Sequence, residues 1–175
     1  YDAHGKWIAT SMNRIPPYIN NADREYFAYH RSSLRNTLHV GPVLRSRTTH
    51  ELVIPVTLRV NDAYNGFRGV LLATIKVDYF RRFYSYYELS EGDVLVLMLA
   101  DSTVLYARPM PDSYIGKNLS VSPLFLQMLA NADKGSGQWT AALDGKQRIF
   151  GFVRSQRYPL VVAAGYDKRA LFQHR

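Results

Sequence analysis

The same order of predicted elements occurs twice along this chain. Residues 1–11 contain a turn-forming Asp-Ala-His-Gly, followed by an alternating strand at 7–10. Residues 97–109 repeat the design, with an apolar strand, an Asp-Ser turn and a second strand that ends at a proline. In each half a helix and three further strands are expected to follow. The order strand, strand, helix, strand, strand, strand therefore predicts two related modules.

The predicted strands indicate the fold class. They lie at 40–47, 52–61 and 67–77 in the first half, and at 137–143, 146–153 and 159–165 in the second. Runs of antiparallel strands interrupted by one helix are typical of α+β proteins. Each module is expected to hold a roughly five-stranded antiparallel sheet with flanking helices. The modules are expected to span residues 1–88 and 89–175, joined by an amphipathic connector that begins at Asp78.

Capping residues mark the expected helix starts. A helix over 20–34 opens with asparagine and aspartate, which are favoured N-caps. In the second half Ser120 or Ser122 can cap a helix that has Pro123 at its first position. Asp167 is expected to cap a last helix that continues to the end of the printed chain.

Composition and motifs argue against several classes of function. The chain has no cysteine, which removes disulfides, thiolate metal sites and a cysteine nucleophile. It has no phosphate loop, nucleophile elbow or dinucleotide fingerprint, and its five histidines do not fall at metal-ligand spacing. No apolar run approaches the roughly 20 residues that cross a bilayer. We therefore expect a folded domain that is not an enzyme and carries no cofactor or metal.

The net charge of +8 favours anionic partners. The arginines are scattered, however, rather than gathered into one basic arm. Residues 79–87, YFRRFYSYY, combine basic and aromatic side chains as single-strand nucleic-acid binders do. The same pattern fits a connector helix whose aromatic rings pack while Arg81 and Arg82 face water. The second interpretation is favoured, and no nucleic-acid partner is expected.

The start of the first predicted helix offers a candidate anion site. Arg24 presents a planar fork of donors that suits a carboxylate or a phosphate, and a helix N-terminus adds free amide groups. The same residues also fit a surface helix in which Tyr26 and Phe27 are buried and Arg24 is solvated. Residue chemistry alone leaves both interpretations open.

Several segments carry a family resemblance. The first half reads NADREYFAYHRSS and then GPVLRSR, VIPVTLR and GFRGVLLATI. The second half reads DVLVLMLADSTVLYARP, IGKNLSVSPLF and YPLVVAAGYDK. In this order and spacing they resemble double Cache sensor domains, which are PAS-like, over essentially the whole chain. The resemblance is closest to the sensor domains of membrane-bound bacterial diguanylate cyclases.

The resemblance implies two tandem PAS-like (Cache) modules that form a periplasmic input domain of an inner-membrane protein, between two flanking transmembrane helices. The long N-terminal helix of the family is expected to be absent from this chain. The parent protein is expected to be a homodimeric diguanylate cyclase, whose separate catalytic domain makes cyclic di-GMP. The alternatives are the sensor domain of a histidine kinase or chemoreceptor, or a degenerate-pocket module for protein interaction or dimerisation.

The resemblance also implies which residues hold the ligand. In amino-acid-sensing members, an Arg-x-Trp-Tyr segment holds the ligand carboxylate and a late aspartate holds its amine. Arg24, Tyr26 and Phe27 match the first segment, whereas Thr74 stands at the place of the aspartate and Ile19 at that of an expected tyrosine. An ammonium group would lack its partner, so a small organic anion is expected rather than a free α-amino acid.

Six residues are expected at this ligand site. Arg24 would anchor the anion, with Tyr26 and His30 as pocket walls. The sheet would contribute Arg59 or Thr74. The full expected set is Arg24, Tyr26, Phe27, His30, Arg59 and Thr74.

Overall fold

A computed structural model describes residues 1–169 of the chain. The chain divides into two compact units, 1–76 and 77–175. The sequence interpretation placed residues 77–88 in the first module. In the structure, helix α2 (Val77–Ser85) belongs to the second unit, where the Tyr84 ring stacks on Tyr106 with centroids 5.7 Å apart. The division of the chain into compact units therefore falls before this helix, between residues 76 and 77, and the module boundary at 88/89 stays a prediction.

The first unit contains one helix and a four-stranded antiparallel sheet. Its elements are α1 (Glu25–Ser32), β1 (His39–Val40), β2 (Leu44–Arg45), β3 (Leu52–Asn61) and β4 (Phe67–Lys76). Strand β3 is central, with β4 along one side and β1 and β2 end to end along the other. The interruption between β1 and β2 contains Pro42 and faces Pro55, and neither proline has an amide hydrogen for the ladder.

The expected strand at 7–10 does not form. Instead Tyr1 and Asp2 occupy the edge of β4: the amide of Val70 donates to the carbonyl of Tyr1 over 3.1 Å. A side-chain oxygen of Asp2 then accepts hydrogen bonds of 2.9 Å from the amides of His4 and Lys6. This turn directs the chain away from the sheet, so residues 7–10 have no neighbouring strand to pair with.

Helix α1 is shorter than the expected helix over 20–34. Arg24 occupies its N-cap position, and no side chain caps it. The expected capping side chains, Asn21 and Asp23, accept hydrogen bonds from Arg47 instead. A side-chain oxygen that is already bonded to a guanidinium is less free to accept from the first turn of a helix, so α1 begins only at Glu25.

The second unit is built on a five-stranded antiparallel sheet. Its strands are β5 (Val94–Leu99), β6 (Val104–Arg108), β7 (Lys134–Thr140), β8 (Gln147–Arg154) and β9 (Leu160–Asp167), in the order β6-β5-β9-β8-β7. A short 3-10 helix covers Asp112–Tyr114, and a helix that starts at Pro123 ends in a π-helical turn at Phe125–Leu129. The mixed α+β class with two antiparallel sheets is confirmed.

The expected cap of the helix that begins at Pro123 is confirmed. The Ser122 hydroxyl accepts a hydrogen bond of 3.3 Å from the amide of Phe125. The expected last helix begins at Lys168, and residues 170–175 lie outside the described part of the chain. Within residues 1–169, no helix is both long enough and apolar enough to cross a membrane.

Candidate ligand-binding site

A pocket of about 740 Å³ lies in the first unit, on the face of the sheet that α1 covers. Side chains alternate between the two faces of a strand, and the pairing of Val53 with Lys76 and of Pro55 with Thr74 places these four on one face. Val53, Val70, Leu72 and Thr74 line the pocket from the sheet. The N-terminal segment and the loop between β2 and β3 line its other sides.

Helix α1 supplies one wall of this pocket through Tyr26. This side chain is only 2% exposed, and its ring centroid lies 6.5 Å from that of Tyr1, which also lines the pocket. Burial raises the pKa of Tyr26 well above its ordinary value. The phenol therefore stays protonated at neutral pH and can donate a hydrogen bond to an anion.

Arg24 lines the same pocket at the N-cap of α1. Its guanidinium donates one hydrogen bond of 3.0 Å, to the backbone carbonyl of Arg45. Among residues 1–169 it forms no ion pair with a carboxylate. Since Arg24 keeps its charge and most of its donors, it can bind an anionic group that enters the pocket.

Arg47 is a pocket residue that the sequence analysis missed. Its guanidinium holds both side-chain oxygens of Asp23, at 2.9 and 2.6 Å, and the side-chain oxygen of Asn21 at 3.0 Å. The same group also bonds to the carbonyl of Asn20, and it holds the pKa of Asp23 below its ordinary value. Arg47 thus ties the loop after β2 to the segment that leads into Arg24. No local pattern in the sequence points to a pair 24 residues apart.

Positive charge dominates the pocket lining. Four cationic side chains line it: Arg24, Arg47, Arg68 and Lys76. Glu51 is the one carboxylate that lines it within the described residues, and it bonds to the Lys76 ammonium over 2.8 Å. Thr74, which also lines the pocket, carries a hydroxyl group rather than a charge. The pocket therefore favours an anion, and every carboxylate that could face an ammonium is already paired.

Three of the six expected site residues lie elsewhere in the first unit. Phe27 is fully buried, and its ring meets that of Phe67 edge-on with centroids 5.5 Å apart. His30 is also fully buried and bonds to the Thr57 hydroxyl over 2.9 Å. Arg59 donates to the backbone carbonyls of His30 and Ser33.

These positions follow from the direction of helix α1. Arg24 and Tyr26 stand at its start, beside the pocket, whereas His30 is one turn further on and contacts the middle of β3. The structure thus brings Arg24, Tyr26 and Thr74 together at the pocket. Phe27, His30 and Arg59 join α1 to the sheet and do not line the pocket. Ligand contacts by the first three residues remain a prediction.

The described residues offer no candidate metal centre. Within residues 1–169, no three histidine, aspartate or glutamate side chains are grouped so that they could hold a metal ion.

Comparison with known proteins identifies the family. A family model described as dCache_1_like, histidine kinase sensor domain, matches residues 77–165. The solved extracellular domain of the candidate histidine kinase rpHK1S-Z16 is 30% identical to this chain, with a TM-score of 0.83. The alignment covers 99% of this chain and 71% of that one. No curated protein matches the chain by sequence.

Two chemoreceptors share the fold at lower identity. The periplasmic sensory domain of Campylobacter jejuni Tlp1 has a TM-score of 0.71 and 15% identity, covering 87% of this chain and 57% of that one. The ligand-binding domain of Pseudomonas fluorescens CtaA, in complex with L-isoleucine, has a TM-score of 0.68 and 19% identity, covering 99% and 69%. Together with the 30% identical relative and the family match, they lead to one assignment. The chain belongs to the dCache-like family of sensor domains.

Proposed function

We propose that this chain senses a small organic carboxylate without an α-amino group, in the pocket of the first unit. One observation carries the proposal: Arg24 lines a positively charged pocket without forming an ion pair within the described residues. A carboxylate would receive two parallel hydrogen bonds from its guanidinium. The protonated Tyr26 phenol and the Thr74 hydroxyl are further donors on the same pocket.

The prediction that the ligand lacks an amino group is based on the carboxylates of the pocket. An ammonium group that leaves water needs a negative partner. Thr74 offers none, and Glu51 is held by Lys76. The CtaA domain was solved with L-isoleucine, so amino acids are the natural comparison ligands in a test.

The parent protein is best explained as a histidine kinase. The family model and the 30% identical relative both carry that description, and none of the relatives described above is a diguanylate cyclase. The expected cyclase and cyclic di-GMP output are therefore less well supported than the kinase or chemoreceptor alternative. We propose a periplasmic location for the domain, since its relatives are extracellular or periplasmic. That the parent is an inner-membrane homodimer and that the domain carries no cofactor stay predictions from the family resemblance.

Calorimetry with matched ligand pairs tests the proposal. Each pair shares one carbon skeleton, for example 4-methylpentanoate and L-leucine. We expect binding by the carboxylate and not by the amino acid. A ligand at about 100 times its Kd should also add about 2.7 kcal/mol to the free energy of unfolding.

The Arg24→Ala variant identifies the anchor. Hydrogen bonds to a charged group contribute about 1.5–3 kcal/mol, so affinity should fall about 10- to 100-fold. Arg35→Ala, an exposed change outside the pocket, is the matched control and should bind as the wild type does. Unchanged affinity in Arg24→Ala, or no carboxylate binding at all, would overturn the proposal. Preference for the amino acid would contradict only the claim about the amine.

A further inference from the structure

The side chain of His30 is buried with one ring nitrogen unpaired. It is 0% exposed, and its Nε2 lies 2.9 Å from the Thr57 hydroxyl. That hydroxyl in turn donates to the carbonyl of His39 over 3.3 Å. Thr57 therefore accepts from His30, which assigns the hydrogen of the neutral ring to Nε2. The other nitrogen, Nδ1, is buried and has no hydrogen-bond partner within residues 1–169.

The groups around His30 disfavour a second proton on its ring. From β3, Arg59 bonds to the His30 carbonyl. From β1, the ring of His39 lies 5.8 Å from that of His30. From α1 itself, the Tyr29 ring lies 5.1 Å away, and Glu25 is the one carboxylate near the cluster within the described residues.

The carboxylate of Glu25 is already engaged by the other histidine. Its two oxygens lie 3.0 and 3.2 Å from the Nε2 of His39, whose ring also stacks on Tyr29 with centroids 3.8 Å apart. A proton on the Nδ1 of His30 would therefore be buried without an acceptor or a free counter-ion within the described residues, close to Arg59.

We propose that this histidine cluster makes the first unit sensitive to pH, because protonation of His30 separates α1 from β3 and so disrupts the pocket that α1 completes. Arg24 and Tyr26 belong to the pocket and stand at the start of the same helix. Acid would displace them together with the helix. The effect on ligand affinity rests on the proposed function, whereas the effect on folding does not.

The direction of the effect follows from linkage. Burial, and then the neighbouring His39, lower the pKa of His30 below its ordinary value. Between the two pKa values only the unfolded chain binds the proton, so stability is complete above about pH 6.5 and falls as the pH drops below it. In that window one proton changes the unfolding equilibrium constant about tenfold per pH unit.

Urea unfolding at pH 7.5 and 5.5 of the wild type and the His30→Gln variant tests the proposal. Glutamine can still donate to Thr57 but does not titrate. We expect the unfolding equilibrium constant of the wild type to rise up to about tenfold more than that of His30→Gln on acidification. His4→Gln, which changes an exposed histidine of the same unit, should retain the wild-type pH response.

Two further measurements test the proposal: the titration of the imidazole resonances and the ligand affinity in acid. If His30→Gln does not fold, the imidazole resonances of the wild type decide: titration of His30 at or above pH 6.5 contradicts the proposal. An equal pH response of unfolding in wild type and His30→Gln also contradicts the proposal.

Affinity for 4-methylpentanoate should weaken in acid in the wild type and not in His30→Gln. If no carboxylate binds at any pH, the proposed function fails and the unfolding data still decide this inference.

Discussion

Three arginines of this chain have the same chemistry and different environments. Arg24 faces the pocket with one backbone partner. Arg47 is bound to Asp23 and to the segment before α1. Arg148, in the second unit, is 2% exposed and donates to both side-chain oxygens of Asp144, at 2.7 and 2.6 Å. Of these three, Arg24 is the one whose charge is not paired with a carboxylate within the described residues.

The pair between Arg148 and Asp144 leads to a prediction about stability. Asp144→Ala leaves the Arg148 guanidinium buried without its counter-ion, which should cost about 3–5 kcal/mol of unfolding free energy. Urea unfolding followed by Trp139 fluorescence, in a Trp7→Phe background, reports on the second unit. Asp133→Ala is the control, since Asp133 is 61% exposed and 3.6 Å from Arg154. A loss equal to that of the control, within about 1 kcal/mol, would show that Arg148 is not charged and buried as described.

The same pair predicts a response to strong acid. Arg148 holds the pKa of Asp144 below its ordinary value. A carboxylate with a depressed pKa contributes its stability above the unfolded value, near pH 3.9, and loses it as the pH falls through the folded value. The second unit should therefore keep this contribution between pH 7 and 5. The pH response attributed to His30 begins near pH 6.5, well above the unfolded value of Asp144, and belongs to the first unit.

At the scale of single elements, one predicted helix cap forms and the other does not. Asn21 and Asp23 bond to Arg47 and do not cap α1. Ser122 caps its helix as the sequence indicates. Ser122→Ala should lower the unfolding free energy of the second unit by about 1 kcal/mol, because the Phe125 amide loses its acceptor. Ser120→Ala is the matched control, since the Ser120 hydroxyl has no hydrogen-bond partner within residues 1–169. Equal unfolding midpoints for the two variants would contradict a capping role for Ser122.

The sequence predicts those elements whose partners are set by local pattern. Strand β3 occupies 52–61 as expected, and β4 ends one residue before its expected limit. The apolar residues of both strands, and the Asp-Ala-Tyr-Asn-Gly turn between them, indicate a hairpin. The strand at 7–10 does not form because its pairing depends on a free sheet edge, which Tyr1 and Asp2 already occupy.

In the candidate site, too, local pattern indicates some residues and misses those whose position depends on the rest of the fold. Of the six residues that the resemblance indicates, Arg24, Tyr26 and Thr74 line one pocket, and their contact with a ligand stays a prediction. The resemblance does not distinguish these three residues from His30 and Arg59, which join the later part of α1 to strand β3. Arg47 escapes sequence reasoning because its partner Asp23 is distant in the chain. Ion pairs of this kind are determined by the folded arrangement of loops, which periodicity and capping rules do not describe.

At the scale of the whole molecule, the net charge of +8 attracts anions of every kind. The connector sequence YFRRFYSYY adds aromatic rings to this charge, which made nucleic acid an alternative partner. In the structure its two arginines have acidic neighbours: Arg81 bonds to Asp112 at 3.0 and 3.1 Å, and Arg82 lies 3.3 Å from Asp78. Tyr84 of the same helix is buried. Both arginines of the run therefore have a carboxylate neighbour within the described residues, which lessens the positive charge that a single strand would meet.

Salt dependence separates the general attraction of a basic protein from binding in a pocket. A protein that neutralises six to ten phosphates loses about 10³- to 10⁵-fold in affinity between 50 and 200 mM salt, because counter-ions are released. Any binding of a 20-nucleotide single strand should be weak at 50 mM salt and absent at 200 mM. The affinity for 4-methylpentanoate should change little over the same range, since that ligand carries one charge and would bind one arginine of the pocket, Arg24. Fluorescence anisotropy for the oligonucleotide and calorimetry for the carboxylate measure the two. Micromolar oligonucleotide binding that persists at 200 mM salt and is lost in Tyr79→Ala, an exposed ring of the connector, would establish nucleic acid as the partner instead.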